Sequence, residues 1–197
     1  MSLPPETLDS RLRGNDVASL MRRLLDTLYD AAAYLAAFFV LAIFVLMIGQ
    51  SVFRGFGLPT GGVNDIVGWM TAAAAFLAMA HTFRSGDFVR VTLVFDKVSP
   101  RVGRVLELVS LGIALLFVGY LAWWAARFTF ESWQFKDMPT GQVALPLWIP
   151  QLSFVIGAAL LLVAVADELI NALRGRKPGY ARAVEERHAR GDFSEDF

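Results

Sequence analysis

Four stretches of this chain run far enough without a charged side chain to cross a lipid bilayer. They are Ala31–Phe53, Ile66–Phe83, Leu108–Ala126 and Met138–Ala166. A spanning helix needs about 20 apolar residues, at about 1.5 Å each, to bridge roughly 30 Å of hydrocarbon. No water reaches that layer, so every backbone N–H and C=O must be satisfied internally, and a helix does this within one segment. The fourth run is longer than required. Its first part, with Pro139, Thr140, Gly141, Pro146 and Pro150, reads as a loop leading into a helix. Proline suits that start, because its missing N–H would find no partner there anyway. The expected spans are Ala31–Ser51, Asn64–Phe83, Val105–Arg127 and Leu147–Asp167. The fold class is therefore an all-α integral membrane protein with four transmembrane helices and short amphipathic interfacial helices. Four core helices of a soluble bundle would each need a polar face, and these runs are apolar nearly all round. A cleaved signal peptide is not expected, because the first run starts only at Ala31 and is too long for an h-region.

Composition agrees with lipid as the solvent. Of 197 residues, 56% are hydrophobic and 18% charged, against about 25% charged in soluble proteins. Net charge is zero, so no nucleic-acid partner is expected. The absence of cysteine excludes disulfides, thiolate metal sites, iron–sulfur clusters and cysteine nucleophiles. His81 and His188 are too few and too far apart for a haem or zinc cluster.

The neutral total hides a pattern. Lys and Arg concentrate in cytoplasmic segments beside spans. The N-terminal segment carries Arg11, Arg13, Arg22 and Arg23. The link after span two carries Arg84, Arg90, Lys97, Arg101 and Arg104. The tail carries Arg174, Arg176, Lys177, Arg182, Arg187 and Arg190. That places fifteen of the 18 basic residues on one side, with only Arg54, Arg127 and Lys136 on the other. Both termini are therefore expected in the cytoplasm. All five tryptophans fall at or beyond the opposite interface. Trp69, Trp123, Trp124 and Trp148 read as headgroup-level anchors, and Trp133 lies in the third link. Tyr29 and Tyr34 are candidates for the inner side.

Residues 1–28 form a cytoplasmic segment in which Leu20, Met21, Leu24, Leu25 and Leu28 recur at helical spacing. This predicts an amphipathic helix at the inner surface leading into span one. Residues 29–170 make the transmembrane domain. Within it, 87–98 is an interfacial segment with Phe88, Val91, Phe95 and Val98 on one stripe. Alternation over Arg90–Phe95 also fits a strand, but an open strand edge is costly against lipid. Residues 171–197 form a polar, glycine-punctuated cytoplasmic tail. There is no internal repeat and no second domain.

Chemistry is sparse. An ionisable residue deep in a span is expensive and usually functional, yet the span middles hold none. Asp65, Glu107, Asp167 and Glu168 sit at span ends, where water or headgroups solvate them. His81 reads as an interfacial or hydrogen-bonded histidine. Thr71, Ser110, Gln142, Gln151 and Ser153 are assigned to hydrogen bonds between helices, and Gly68, Ala72 and Ala75 to close packing within this chain or against another. The glycine-rich stretch Gly55–Gly62 is neither a dinucleotide loop nor a P-loop: Thr60 stands where the third glycine belongs, and Val63 follows Gly62 in place of lysine. No nucleophile elbow and no acid–base carboxylate pair is present. Four plain helices of this kind suit a scaffold or accessory subunit better than a complete transporter.

The order of these features resembles the small membrane subunit (Q-type, small permease) of tripartite ATP-independent periplasmic (TRAP) transporters, over about Leu24–Leu173. The strongest stretch is Ala80–Leu108, where Arg84-Ser85-Gly86-Asp87-Phe88-Val89-Arg90-Val91 resembles the family's segment after span two, and Pro100-Arg101 and Arg104 fit its later part. Ser132 with Thr140-Gly141, Pro146 and Trp148-Ile149-Pro150 makes a second match. Asp87-Phe88 stands where the family often has histidine, and Thr92 where it often has aspartate. The resemblance implies a subunit that packs beside a large sodium-coupled elevator permease and helps receive a periplasmic substrate-binding protein, for uptake of an organic anion, typically a carboxylate. Sodium and substrate would be held by the partner, so neither catalytic, metal nor substrate-binding residues nor any cofactor are expected here. Arg54, Asp65, Glu131, Lys136 and Asp137, the charges of the outer face, are the candidate docking residues. An accessory subunit of tricarboxylate-type tripartite systems shares the four-span architecture. A membrane enzyme is the reading from another class; it would need cysteines, paired histidines or a serine–histidine pair in a recognisable setting.

Overall fold

The computed structural model describes residues 5–85 and 99–175. These form four helices: α1, Pro5–Gly55; α2, Val63–Ser85; α3, Pro100–Phe135; α4, Trp148–Leu173. The described residues contain no strand. Each helix is long and apolar enough to cross a membrane. The interfacial segment expected at 87–98 lies outside the described residues, as does the tail beyond 175.

The main packing interfaces are α1 with α2, α2 with α4, and α4 with α3. The helices thus stand in the order α1, α2, α4, α3, with α1 and α3 at the edges. Lipid tails are as apolar as leucine, so close approach of small residues drives this association. The core shows it. Ala32 and Ala36 of α1 meet Leu77 of α2. Ala80 of α2 meets Leu161, Ala164 and Val165 of α4, with Tyr29 of α1 completing the cluster and Ala114, Leu115 and Val118 of α3 packed against it. Gly157 brings α4 against the Phe76 backbone: a Cβ at 157 would lie 2.6 Å from the Phe76 carbonyl carbon. Beside this contact the Phe76 and Phe154 rings meet edge-on at 4.8 Å. Large apolar residues such as Phe38, Leu41 and Phe44 on α1 and Leu116 and Phe117 on α3 are exposed, as a lipid-facing surface requires.

The helices run past several of the expected span limits. The stretch expected as an amphipathic helix leading into span one is helical and continuous with that span. Alpha-one is one helix of 51 residues, about 76 Å long, so residues 17–28 continue the axis of the span. Leu20, Leu24 and Leu28 are exposed along it, while Leu25 packs on the core. Helix α3 has 36 residues and ends eight beyond Arg127, at Phe135, so Glu131 and Trp133 are helical and the third link begins at Lys136. Helix α4 also runs past Asp167, to Leu173. Within the chain, α2 does not pack through Gly68, Ala72 and Ala75. It buries Ala73, Ala74, Leu77 and Ala80. Gly68 and Ala75 are exposed and Ala72 is half-buried, and nothing lies within 4 Å of a Cβ built at 68. That face remains open to another chain.

Candidate docking surface

The α1–α2 and α3–α4 links meet and are tied together. Helix α1 closes with Gly57 in the left-handed region (φ 73°). Leu58 N–H donates to Phe53 O (3.1 Å) and Gly57 N–H to Arg54 O (3.0 Å), a Schellman ending that satisfies the last carbonyls. Gln50 Nε2 then donates to Asn64 Oδ1 (3.2 Å), joining α1 to α2. The Gln142 N–H donates to Asp65 Oδ2 at 2.8 Å, fastening the α3–α4 link to the start of α2. Gly141 permits that approach, since a Cβ there would stand 2.6 Å from Asp65 Cγ. Gly62 combines φ 81° with a neighbour, Val143 Cγ2, 2.6 Å from where its Cβ would be.

The expected docking residues divide accordingly. Asp65 is half-buried and serves the link as an acceptor. Glu131 accepts from Arg127 Nε at 2.9 Å, one turn back on α3, and Arg127 also lies 5.7 Å from the Trp124 ring centre. Arg54, Lys136 and Asp137 are exposed. Lys136 caps α3 in the left-handed conformation (φ 54°, ψ 43°), its N–H donating to Ser132 O. The left-handed residue ends the helix in a common way, and holding it without glycine costs roughly 1–2 kcal/mol. Lys136 lines an open depression of about 580 Å³ with Trp133, Gln134, Met138, Pro146 and Trp148. A second, of about 470 Å³, lies alongside, between Trp123, Arg127, Phe130 and Glu131.

The tryptophans expected as anchors all sit toward this end, Trp123 and Trp124 exposed and Trp69 and Trp148 half-buried, together with the exposed Trp133. Sequence reasoning missed the depth of the aromatic zone on α3. Tyr120, Phe128, Phe130 and Phe135 are exposed with the tryptophans. From 120 to 135 the helix rises about 22 Å, more than the roughly 6 Å that each headgroup layer adds to the hydrocarbon.

Elsewhere some polar groups bond within their own segment, while Gln151 Oε1, assigned from sequence to a bond between helices, is buried with no partner among the described residues. Thr71 and Ser153, assigned from sequence to bonds between helices, instead donate to Val67 O and Pro150 O of their own segments, both at 2.7 Å. His81 Nδ1 lies 3.4 Å from Asp30 Oδ1. Glu168, assigned from sequence to solvent or headgroups, is only 5% exposed. Among the described residues no three His, Asp or Glu side chains gather as a metal site.

Four apolar helices, with the α1–α2 and α3–α4 links knitted at one end, describe a multi-pass membrane protein. Residues 43–175 match a family described as tripartite ATP-independent periplasmic transporters, DctQ component. The chain belongs to this family: it is a component of a tripartite transporter and not an enzyme. The match begins in mid-α1 and runs to the end of α4, and it separates the chain from the tricarboxylate-type subunits that architecture alone left open. No curated protein matched the chain.

Proposed function

We propose that this chain is the small permease subunit of a TRAP-type secondary transporter, bracing a large membrane subunit and helping to seat a periplasmic substrate-binding protein. The observation that carries the reading is the helix row itself, whose span middles contain no ionisable group. Such a row offers two broad apolar faces to a neighbour and no charged path for a solute. In this scheme sodium coupling and the organic anion, a carboxylate, belong to the large subunit and the binding protein, and this chain holds no cofactor. The open Gly68–Ala75 face of α2 is the surface for the large subunit. The distribution of Lys and Arg supports a topology with both termini in the cytoplasm, and in this scheme the membrane is the bacterial inner membrane.

Docking is assigned to the end of α3 and the link after it. Lys136 occupies a position where glycine would be cheaper, beside exposed Trp133 and Asp137, and charged rims of this kind govern encounter with a soluble partner. Exchanging the two charges, Lys136→Glu with Asp137→Lys, should reduce uptake several-fold in cells while the amount of large subunit co-purifying in mild detergent stays constant. Unchanged uptake would remove these residues from the docking surface. Failure of any large membrane subunit to co-purify with the native chain would remove the function proposed here.

A further inference from the structure

The inner ends of α1, α2 and α4 hold a polar cluster that the proposed function does not use. Arg84 of α2 pairs with Asp26 of α1, and its guanidinium lies 5.3 Å from the centre of the Tyr29 ring. Asn171 donates to Asp167 at 3.3 Å within α4. Tyr29 is only 1% exposed, and its hydroxyl has no hydrogen-bond partner among the described residues. A cavity of about 10 Å³ opens between Tyr29, Phe83, Arg84, Ala164, Asp167 and Glu168.

We propose that a single structural water binds in this cavity, accepting from the Tyr29 hydroxyl and donating to a carboxylate of α4. The size fits: a water needs roughly 10–15 Å³ of such volume and two to four polar partners. The chemistry fits as well, since a phenol donor facing carboxylates is bridged by a molecule that both accepts and donates. A metal cation is the poorer occupant, because the Arg84 guanidinium forms one wall and repels it. The water clasps α1 to α4, two helices that share no main packing interface. It thereby fixes the inner half of the 51-residue helix α1 to the rest of the row.

The test uses the full-length chain in detergent, native and Tyr29→Phe. A well-resolved density map of the native chain should show a peak within hydrogen-bond distance of Tyr29 Oη. Tyr29→Phe, which strands the water, should lower the melting midpoint by about 2–4 °C. The native midpoint should not change when sodium chloride is replaced by choline chloride at equal ionic strength. A midpoint that stays level or rises in Tyr29→Phe would mean relief of an orphaned hydroxyl and would overturn the proposal, as would a native map with no peak there. A native midpoint that drops without sodium, with Tyr29→Phe insensitive, would assign the site to a cation and overturn it too.

Discussion

Replacing Gly157 with leucine should pry α4 away from α2. The first atom of the new side chain would meet the Phe76 backbone, with the carbonyl carbon at 2.6 Å and Phe76 Cβ at 2.8 Å. Overpacking a core usually costs about 1–3 kcal/mol when neighbouring side chains can adjust. Here the obstacle is helix backbone, so the loss should reach the top of that range. At about 2–4 °C per kcal/mol for a chain of this size, the melting midpoint in detergent should fall on the order of 5–10 °C. Gly68→Leu is the control. Its Cβ meets nothing within 4 Å, so it should leave the isolated chain's midpoint in place. A Gly157→Leu chain that melts with the native one would show that α2 and α4 are not in contact at this point.

Arg84→Glu should be nearly as damaging, for an electrostatic reason. The native cluster sets Arg84 beside Asp26 and lines one cavity with Arg84, Asp167 and Glu168. Reversal removes the guanidinium and adds a carboxylate where acidic groups from two other helices already converge. Glu168 is buried, and a buried charge whose surroundings turn repulsive destabilises far more than an exposed pair does. The yield of folded chain should drop on the order of tenfold, the ratio that about 1.4 kcal/mol produces. Pairing the change with Asp26→Arg should recover much of it, because the charge pair is rebuilt in the opposite sense. Equal yields for the reversal and the native chain would show that the cluster carries little of the fold.

The helices were legible because the bilayer imposes a length and an absence of charge that any sequence displays directly. Val63–Ser85 departs from its expected span by one residue at the start and two at the end. The outer limit of α3 was less plain. Arg127 looked like a membrane boundary, yet it continues the helix through its pair with Glu131 one turn on. The helix stops only where Lys136 takes the left-handed conformation. The packing face of α2 was not legible: Ala72-Ala73-Ala74-Ala75 is small on every side and gives no periodicity to choose between faces. Contacts between helices decided it, through Leu77 and Ala80. Asp65 gave no sign of its role as a fastener, because its partner Gln142 lies 77 positions away. The inner cluster was hidden for the same reason. Asp26, Tyr29, Arg84 and Glu168 each look like an ordinary boundary residue until three helices bring them together. The docking residues rest on exposed charge at the end of α3 and the link after it.

The claim on which the functional reading stands is that this subunit supports transport without conducting anything itself. Reconstitution into liposomes under an inward sodium gradient tests it most directly, with a panel of radiolabelled carboxylates as probes. The chain alone should accumulate none of them above empty vesicles, while addition of its large membrane subunit and binding protein should produce concentrative uptake of at least one. Accumulation of any labelled carboxylate by the chain alone would contradict the account.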